Sequence, residues 1–146
     1  MNTFETQVVV RWSDCDLNRH VRHSAYYDYG AHTRIQLFNS FDFPVQKMAA
    51  LNIGPILFKE ECSFLAELTT SDTVTINVLK DAKSGDSSKF KLHHEMFNQK
   101  GIKCAHLTVQ GAWMDLAKRK LVVPPQEIVD IFNQLAEGED FVYKKR

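Results

Sequence analysis

Hydrophobic positions recur along this chain with two different periods. Between Thr6 and Trp12, the β-branched Val8, Val9 and Val10 sit beside polar Thr6, Gln7 and Arg11, which predicts a strand. From Ser24 to Phe38 the period changes. Tyr27, Ala31, Ile35 and Phe38 fall at i, i+4, i+8 and i+11, so they predict one buried helical stripe. His23 or Ser24 is the expected cap. Gly30 inside this helix costs up to ~1 kcal/mol against Ala, and a packing surface that needs a small residue would explain it. Phe41 to Pro44 breaks the helix, and Val45 to Leu51 reads as a second short one, stopped at Asn52-Ile53-Gly54-Pro55.

Alternation then takes over. Ile56 to Leu65 is a strand candidate, and Val74, Ile76 and Val78 share one face of Thr73 to Leu79. Ser84-Gly85-Asp86 is a turn. Phe90, Leu92, His94 and Met96 share a face of Lys89 to Phe97, which leaves His93 on the other. Asn98 to Gly101 is a short polar hairpin loop. Ala105, Leu107, Val109, Gly111 and Trp113 alternate along Lys103 to Asp115. Pro124-Pro125 ends this region, and Gln126 to Ala136 forms a short helix with Ile128, Ile131, Phe132 and Leu135 inward. A strand, a long helix, strands in hairpin succession and a terminal helix make an α+β class, with an antiparallel sheet covering one helix. The second face and the edges of such a sheet need cover, which favours self-association.

Composition narrows the function classes. With 146 residues, 44% hydrophobic and 25% charged, the chain reads as one globular domain spanning 1–146. Lys+Arg and Asp+Glu are both 18, a balance that argues against a nucleic-acid binder. No apolar run approaches the ~18 residues of a membrane span, and MNTFETQVVVRW has no signal-peptide pattern. Cys15, Cys62 and Cys104 are far apart, and no CxxC pair exists. That reads as reduced thiols in a cytoplasmic protein, not a disulfide framework or zinc site. Trp12 and Trp113 are expected in the core or an interface, and Lys144-Lys145-Arg146 as a solvated end.

The densest polar cluster is RWSDCDLNRHVRHSAYYDY, residues 11–29, between a strand and a helix. A helix N-terminus offers unpaired N–H groups and partial positive charge, the setting for a developing oxyanion. Asp16, seven residues before His23, is placed to curl back towards that end. Carboxylate plus oxyanion site is a minimal apparatus for acyl-group hydrolysis. Asp14 is expected to serve as a structural or capping carboxylate. Cys15, Asp16, His20 and His23 could also be read as metal ligands, but their spacing matches no common motif.

The run D-x-D at Asp14-Cys15-Asp16, then His20-Val21, then a Tyr-rich helix, resembles the hotdog-fold acyl-CoA thioesterases of the 4-hydroxybenzoyl-CoA thioesterase family, including its YbgC/FadM-like branch. Phe64-Leu65-Ala66, Asp72-Thr73-Val74, Trp113-Met114-Asp115 and Pro124 follow in the family's order, so the likeness runs from about Gln7 to Ile131. It implies a sheet wrapped around the central helix, edge-to-edge homodimers that can pair into homotetramers, and active sites at the dimer interface. It implies hydrolysis of an acyl-CoA, with acyl-carrier protein as an open alternative donor, and neither metal nor other cofactor. Asp16 matches the catalytic carboxylate, as nucleophile or as general base. His23 matches the head of the helix, where its N–H polarises the thioester carbonyl and its side chain can assist. His20, Tyr26 and Tyr27 match substrate-side positions. Arg19 stands where many members have Gly, and Arg22-His23 replaces Asn-Asn. Lys80, Lys83, Lys89 and Lys91, around one turn, are candidates for the CoA phosphates. The rival readings are a hotdog acyl-thioester hydratase or dehydratase, whose signature segment is not found here, and a non-catalytic acyl-CoA-binding module.

Overall fold

The computed structural model describes residues 3–83 and 88–143; the turn expected at Ser84-Gly85-Asp86 and the basic tail lie outside them. Five long strands, β1 (Phe4–Val9), β2 (Ile53–Phe64), β3 (Thr73–Asp81), β4 (Lys89–Phe97) and β5 (Lys103–Asp115), form one sheet in the order β1-β3-β4-β5-β2. Every neighbouring pair in that order is antiparallel. Two short strands extend it: β6 (Lys120–Leu121) pairs back onto β5, and β7 (Glu137–Gly138) runs parallel to β3. The helices are α1 (His23–Ser40), α2 (Val45–Ala50) and α3 (Gln126–Asn133). One long helix cradled by a curled antiparallel sheet is the hotdog arrangement.

The buried stripe of α1 differs from the one its spacing predicted. Tyr26, Tyr29, Gly30, Thr33, Leu37 and Phe38 are buried, whereas Ala31 is exposed and Tyr27 and Ile35 are only partly covered. Two neighbouring stripes on this helix carry apolar residues, and tertiary packing chose the one holding Gly30. A Cβ at Gly30 would collide with the Leu107 side chain of β5 and crowd His94 of β4. The glycine therefore lets helix and sheet approach closely, which offsets its propensity cost.

His93 and His94 point to opposite faces of β4, as strand geometry requires. On the helix side, His94 Nδ1 meets the Asn77 carbonyl at 2.8 Å and Nε2 meets Arg34 of α1 at 2.9 Å. On the outer side, His93 joins Asp81, His106 and Thr108. These outer-face groups are buried because the chain after α3 doubles back over them. Lys80 N–H donates to Ala136 O, Asp140 pairs with Lys91 at 2.9 Å, and the Phe141 ring lies 5.9 Å from that of His106.

The first strand ends earlier than predicted, at Val9. Trp12–Asp14 forms a 3-10 turn, tied by Asp14 N–H to Arg11 O at 3.0 Å. That turn lifts Trp12 out of the core to 83% exposure, while Trp113 is fully buried.

Candidate active site

Asp14 anchors the loop from Trp12 to Arg22 from within. Asp14 is 2% exposed, and its carboxylate accepts from Tyr29 Oη at 2.8 Å and Arg11 Nη2 at 3.0 Å. Burial alone would raise its pKa; the hydrogen bonds from Arg11 and Tyr29 outweigh burial and hold it below the usual carboxylate range. The Tyr29 phenol is driven the other way, first by burial and then by that carboxylate. Asp14 O also accepts from Arg22 N–H at 2.8 Å, just ahead of α1. These bonds confirm the anchoring role expected of Asp14.

Beyond this anchor the chain makes a small closed hairpin. Cys15 bridges Val21, Asp16 N–H donates to His20 O at 2.9 Å, and Arg19 N–H donates to Asp16 O at 3.0 Å. Asp16 Oδ1 accepts from Asn18 N–H at 2.8 Å, an Asx turn. Its Oδ2 has no hydrogen-bond partner among the described residues, and the residue is exposed. Arg19 adopts φ 65, a left-handed conformation that glycine takes up most readily.

Helix α1 starts at His23 with Arg22 as cap. The Arg22 side chain makes no capping bond, donating instead to Ser24 Oγ at 2.7 Å, and the first turn holds no acidic residue. The positive end of the helix is therefore left without a carboxylate of its own.

Asp16, His20, His23 and Tyr26 line one cavity of about 350 Å³ with Val21, Phe64, Leu65, Ala66 and Glu67. Tyr27 is not in its wall; it lies half-buried at the rim of the core. The Tyr26 ring meets Phe64 edge-on at 5.0 Å, and burial raises its phenol pKa to about 12, so it stays neutral in the wall. His20 Nε2 lies 3.0 Å from Glu67 Oε2 across the mouth. Glu67 and the apolar wall after β2 were not legible as site residues, because only the folded sheet brings them to the loop. A second cavity of about 890 Å³ lies on the other side of Asp16, lined by Trp12, Ser13, Cys15, Leu17, Arg19 and Thr70.

The lysines considered for phosphates are elsewhere. Lys80, Lys89 and Lys91 occupy the ends of β3 and β4 remote from this loop, Lys83 follows just after β3 with its N–H donating to Asp81 Oδ1 at 2.8 Å, and Lys91 is already paired with Asp81 and Asp140. Among the described residues, the one set of metal-type donors that converges is Asp81, His93 and Asp140, not the loop cluster. The Lys91 ammonium is the cation already paired with both of those carboxylates.

The profile of the thioesterase-like superfamily matches residues 10–132, which include the loop, α1 and all the strands but the first and the last. The chain belongs to that superfamily. It is therefore a thioester hydrolase by class. Solved structures share the fold at low identity. A 1,4-dihydroxy-2-naphthoyl-CoA thioesterase from Synechocystis superposes with a TM-score of 0.82 at 17% identity, covering 92% of this chain and 98% of that one. A Staphylococcus aureus protein solved in complex with CoA gives 0.82 at 14%, covering 99% and 90%. A DHNA-CoA thioesterase from Staphylococcus aureus gives 0.82 at 12%, covering 92% and 91%. No curated protein matches the chain. Among the described residues, no helix is long and apolar enough to cross a membrane.

Proposed function

We propose that this thioesterase hydrolyses acyl-CoA thioesters at the cavity between the Asp16 hairpin and the start of α1. One observation carries the reading: Asp16 and His23 line the same cavity, while one Asp16 oxygen has no protein partner. The thioester carbonyl oxygen is directed at the first-turn N–H of His23, where developing negative charge meets the helix pole. A well-placed donor of this kind contributes about 2.7–4 kcal/mol to the transition state. Asp16 attacks the carbonyl carbon, or takes a proton from the water that does. The C–S bond breaks, the thiolate leaves as CoA and takes up a proton, and water supplies the oxygen of the acid product. Val21, Tyr26, Phe64 and Leu65 offer an apolar wall for the acyl group. His20 is held against Glu67 at the mouth and orients the substrate.

Two further features of the molecule support the wider reading. Strand β2 is a sheet edge of 12 residues paired on one side only, and it exposes Leu57 and Phe58. A long edge of this kind is a template for a second copy, so the working unit is an edge-to-edge homodimer. The three cysteines are unpaired thiols, which fits a reducing, cytoplasmic setting.

The test is thiol release from a panel of acyl-CoAs, followed with a thiol reagent, beside enoyl absorbance on an enoyl-CoA. Hydrolysis of saturated acyl-CoAs with no change in enoyl absorbance is the expected result. Loss of enoyl absorbance without thiol release would make the chain a hydratase, and no turnover of any thioester would leave it a binding module.

A further inference from the structure

Asp16 is shared by two cavities, and a thioester has two limbs. If the carbonyl meets Asp16, the acyl limb and the thiol limb must leave in different directions. The cavity beside α1 has apolar walls and suits the acyl group. The larger one, of about 890 Å³, has a different chemistry. Its size falls within the ~300–1,000 Å³ range of small-molecule sites. Resting on the thioesterase reading, we infer that this second cavity is the nucleotide subsite, where Trp12 stacks on the adenine of CoA and Arg19 pairs with its phosphates.

Three observations on different atoms point the same way. Trp12 is 83% exposed although it sits on a hydrogen-bonded turn, anchored by the neighbouring Arg11–Asp14 ion pair of 3.0 Å. An indole face presented to solvent on an anchored turn is a stacking platform for a purine. Arg19 is exposed at the same cavity, and it makes no ion pair among the described residues. Arg11 and Arg22, its neighbours on the loop, are paired with Asp14 and Asp28. Arg19 also holds φ 65, where a side chain is disfavoured and glycine fits best. A cationic side chain retained against its backbone preference, free of acidic partners and beside an exposed indole, matches an anionic purine ligand.

The test compares two thioesters with the same acyl group, one on CoA and one on N-acetylcysteamine, which lacks the nucleotide. Trp12→Ala should raise KM for the acyl-CoA about 10-fold, the scale of one lost base–aromatic stack, and Trp12→Phe should restore most of it. Arg19→Gly removes the charge and relieves the backbone. It should raise KM for the acyl-CoA about 5-fold or more with no loss in unfolding midpoint, since a charged hydrogen bond is lost. In each case the penalty should fall on the CoA substrate alone. Equal losses on both substrates, no change for acyl-CoA, or a change in sedimentation mass on Trp12→Ala would overturn the subsite. Binding of desulfo-CoA, measured by calorimetry, separates this claim from the proposed activity. Should the wild type hydrolyse neither thioester, the activity fails. Desulfo-CoA binding lost in Trp12→Ala and kept in Trp12→Phe then still upholds the subsite, and absent binding or binding indifferent to both variants refutes it.

Discussion

Two clusters of aspartate and histidine occupy opposite ends of this molecule, and they differ in what is left unpaired. On the outer sheet face, His93 Nε2 lies 2.6 Å from Asp81 Oδ2, and His93 Nδ1 lies 3.1 Å from both His106 Nε2 and Thr108 Oγ1. Lys103 Nζ lies 3.1 Å from His106 Nδ1, so that nitrogen accepts and Nε2 carries the proton donated to His93. Lys91 and Asp140 close the ring. Each of these side chains is bonded to at least one other of the set. In the loop cluster, Asp16 bonds one backbone N–H with one oxygen and offers the other to a cavity beside an uncapped helix end. The same residue types thus build a brace in one place and a reactive surface in the other. Residue identity does not separate them; the unspent valence does.

Acid should strike the brace hardest. Burial, with Lys103 and His93 beside it, lowers the His106 pKa to about 4; burial and Arg34 lower that of His94, on the helix side, to about 3. Both stay neutral in the fold where the unfolded chain, with pKa near 6.5, already binds protons. Stability is therefore level above pH ~6.5 and falls below it by up to about 1.4 kcal/mol per pH unit for each histidine, levelling off at the folded pKa. Urea unfolding midpoints from pH 7.5 to 4.5 measure this, and His106→Gln should flatten part of the slope. A slope unaltered by that change would remove His106 from the brace.

Next in size is Asp81→Ala, which leaves a buried imidazole N–H unpaired and should cost about 2–4 kcal/mol in chemical denaturation. Thioester hydrolysis below the transition should stay near wild type, since Asp81 lies at the far end of β3 from Asp16. A large loss of kcat at full foldedness would break the distinction between the two clusters. Tyr29→Phe removes a 2.8 Å bond to buried Asp14 and should cost about 1.5–3 kcal/mol. Its effect on kcat/KM should be smaller than that of any change at Asp16. The smallest stability effect belongs to Arg19→Gly, within about 0.5 kcal/mol, because the gain at φ 65 opposes the added freedom of the unfolded chain.

Much of this was legible before folding. Period-2 runs located β3, β4 and β5, whereas Ile53-Gly54-Pro55, expected as a break, opens β2 and pairs with the end of β5. The α1 stripe was misplaced by one position because Tyr26 and Tyr27, adjacent in sequence, are equally apolar; only Gly30 against Leu107 decides between them. Trp12 was expected in a core or interface, since nothing local announces that Asp14 folds back on Arg11 and ejects it. The Asp14–Asp16 division followed from loop chemistry, yet the partner that buries Asp14, Tyr29, is fifteen residues away. Glu67 and the burial of His93 and His106 depend on strand order and on the returning C-terminal segment, which no short window contains.

The most direct test is Asp16→Asn, assayed for acyl-CoA hydrolysis beside its unfolding midpoint. Asparagine can still accept the Asn18 N–H and keep the Asx turn, but it can neither attack nor take the proton. The expected result is a fall in kcat/KM of about 10²-fold or more with unchanged stability and unchanged dimerisation. Activity within about threefold of wild type would contradict the assignment, and with it the claim that the open carboxylate is the reactive one.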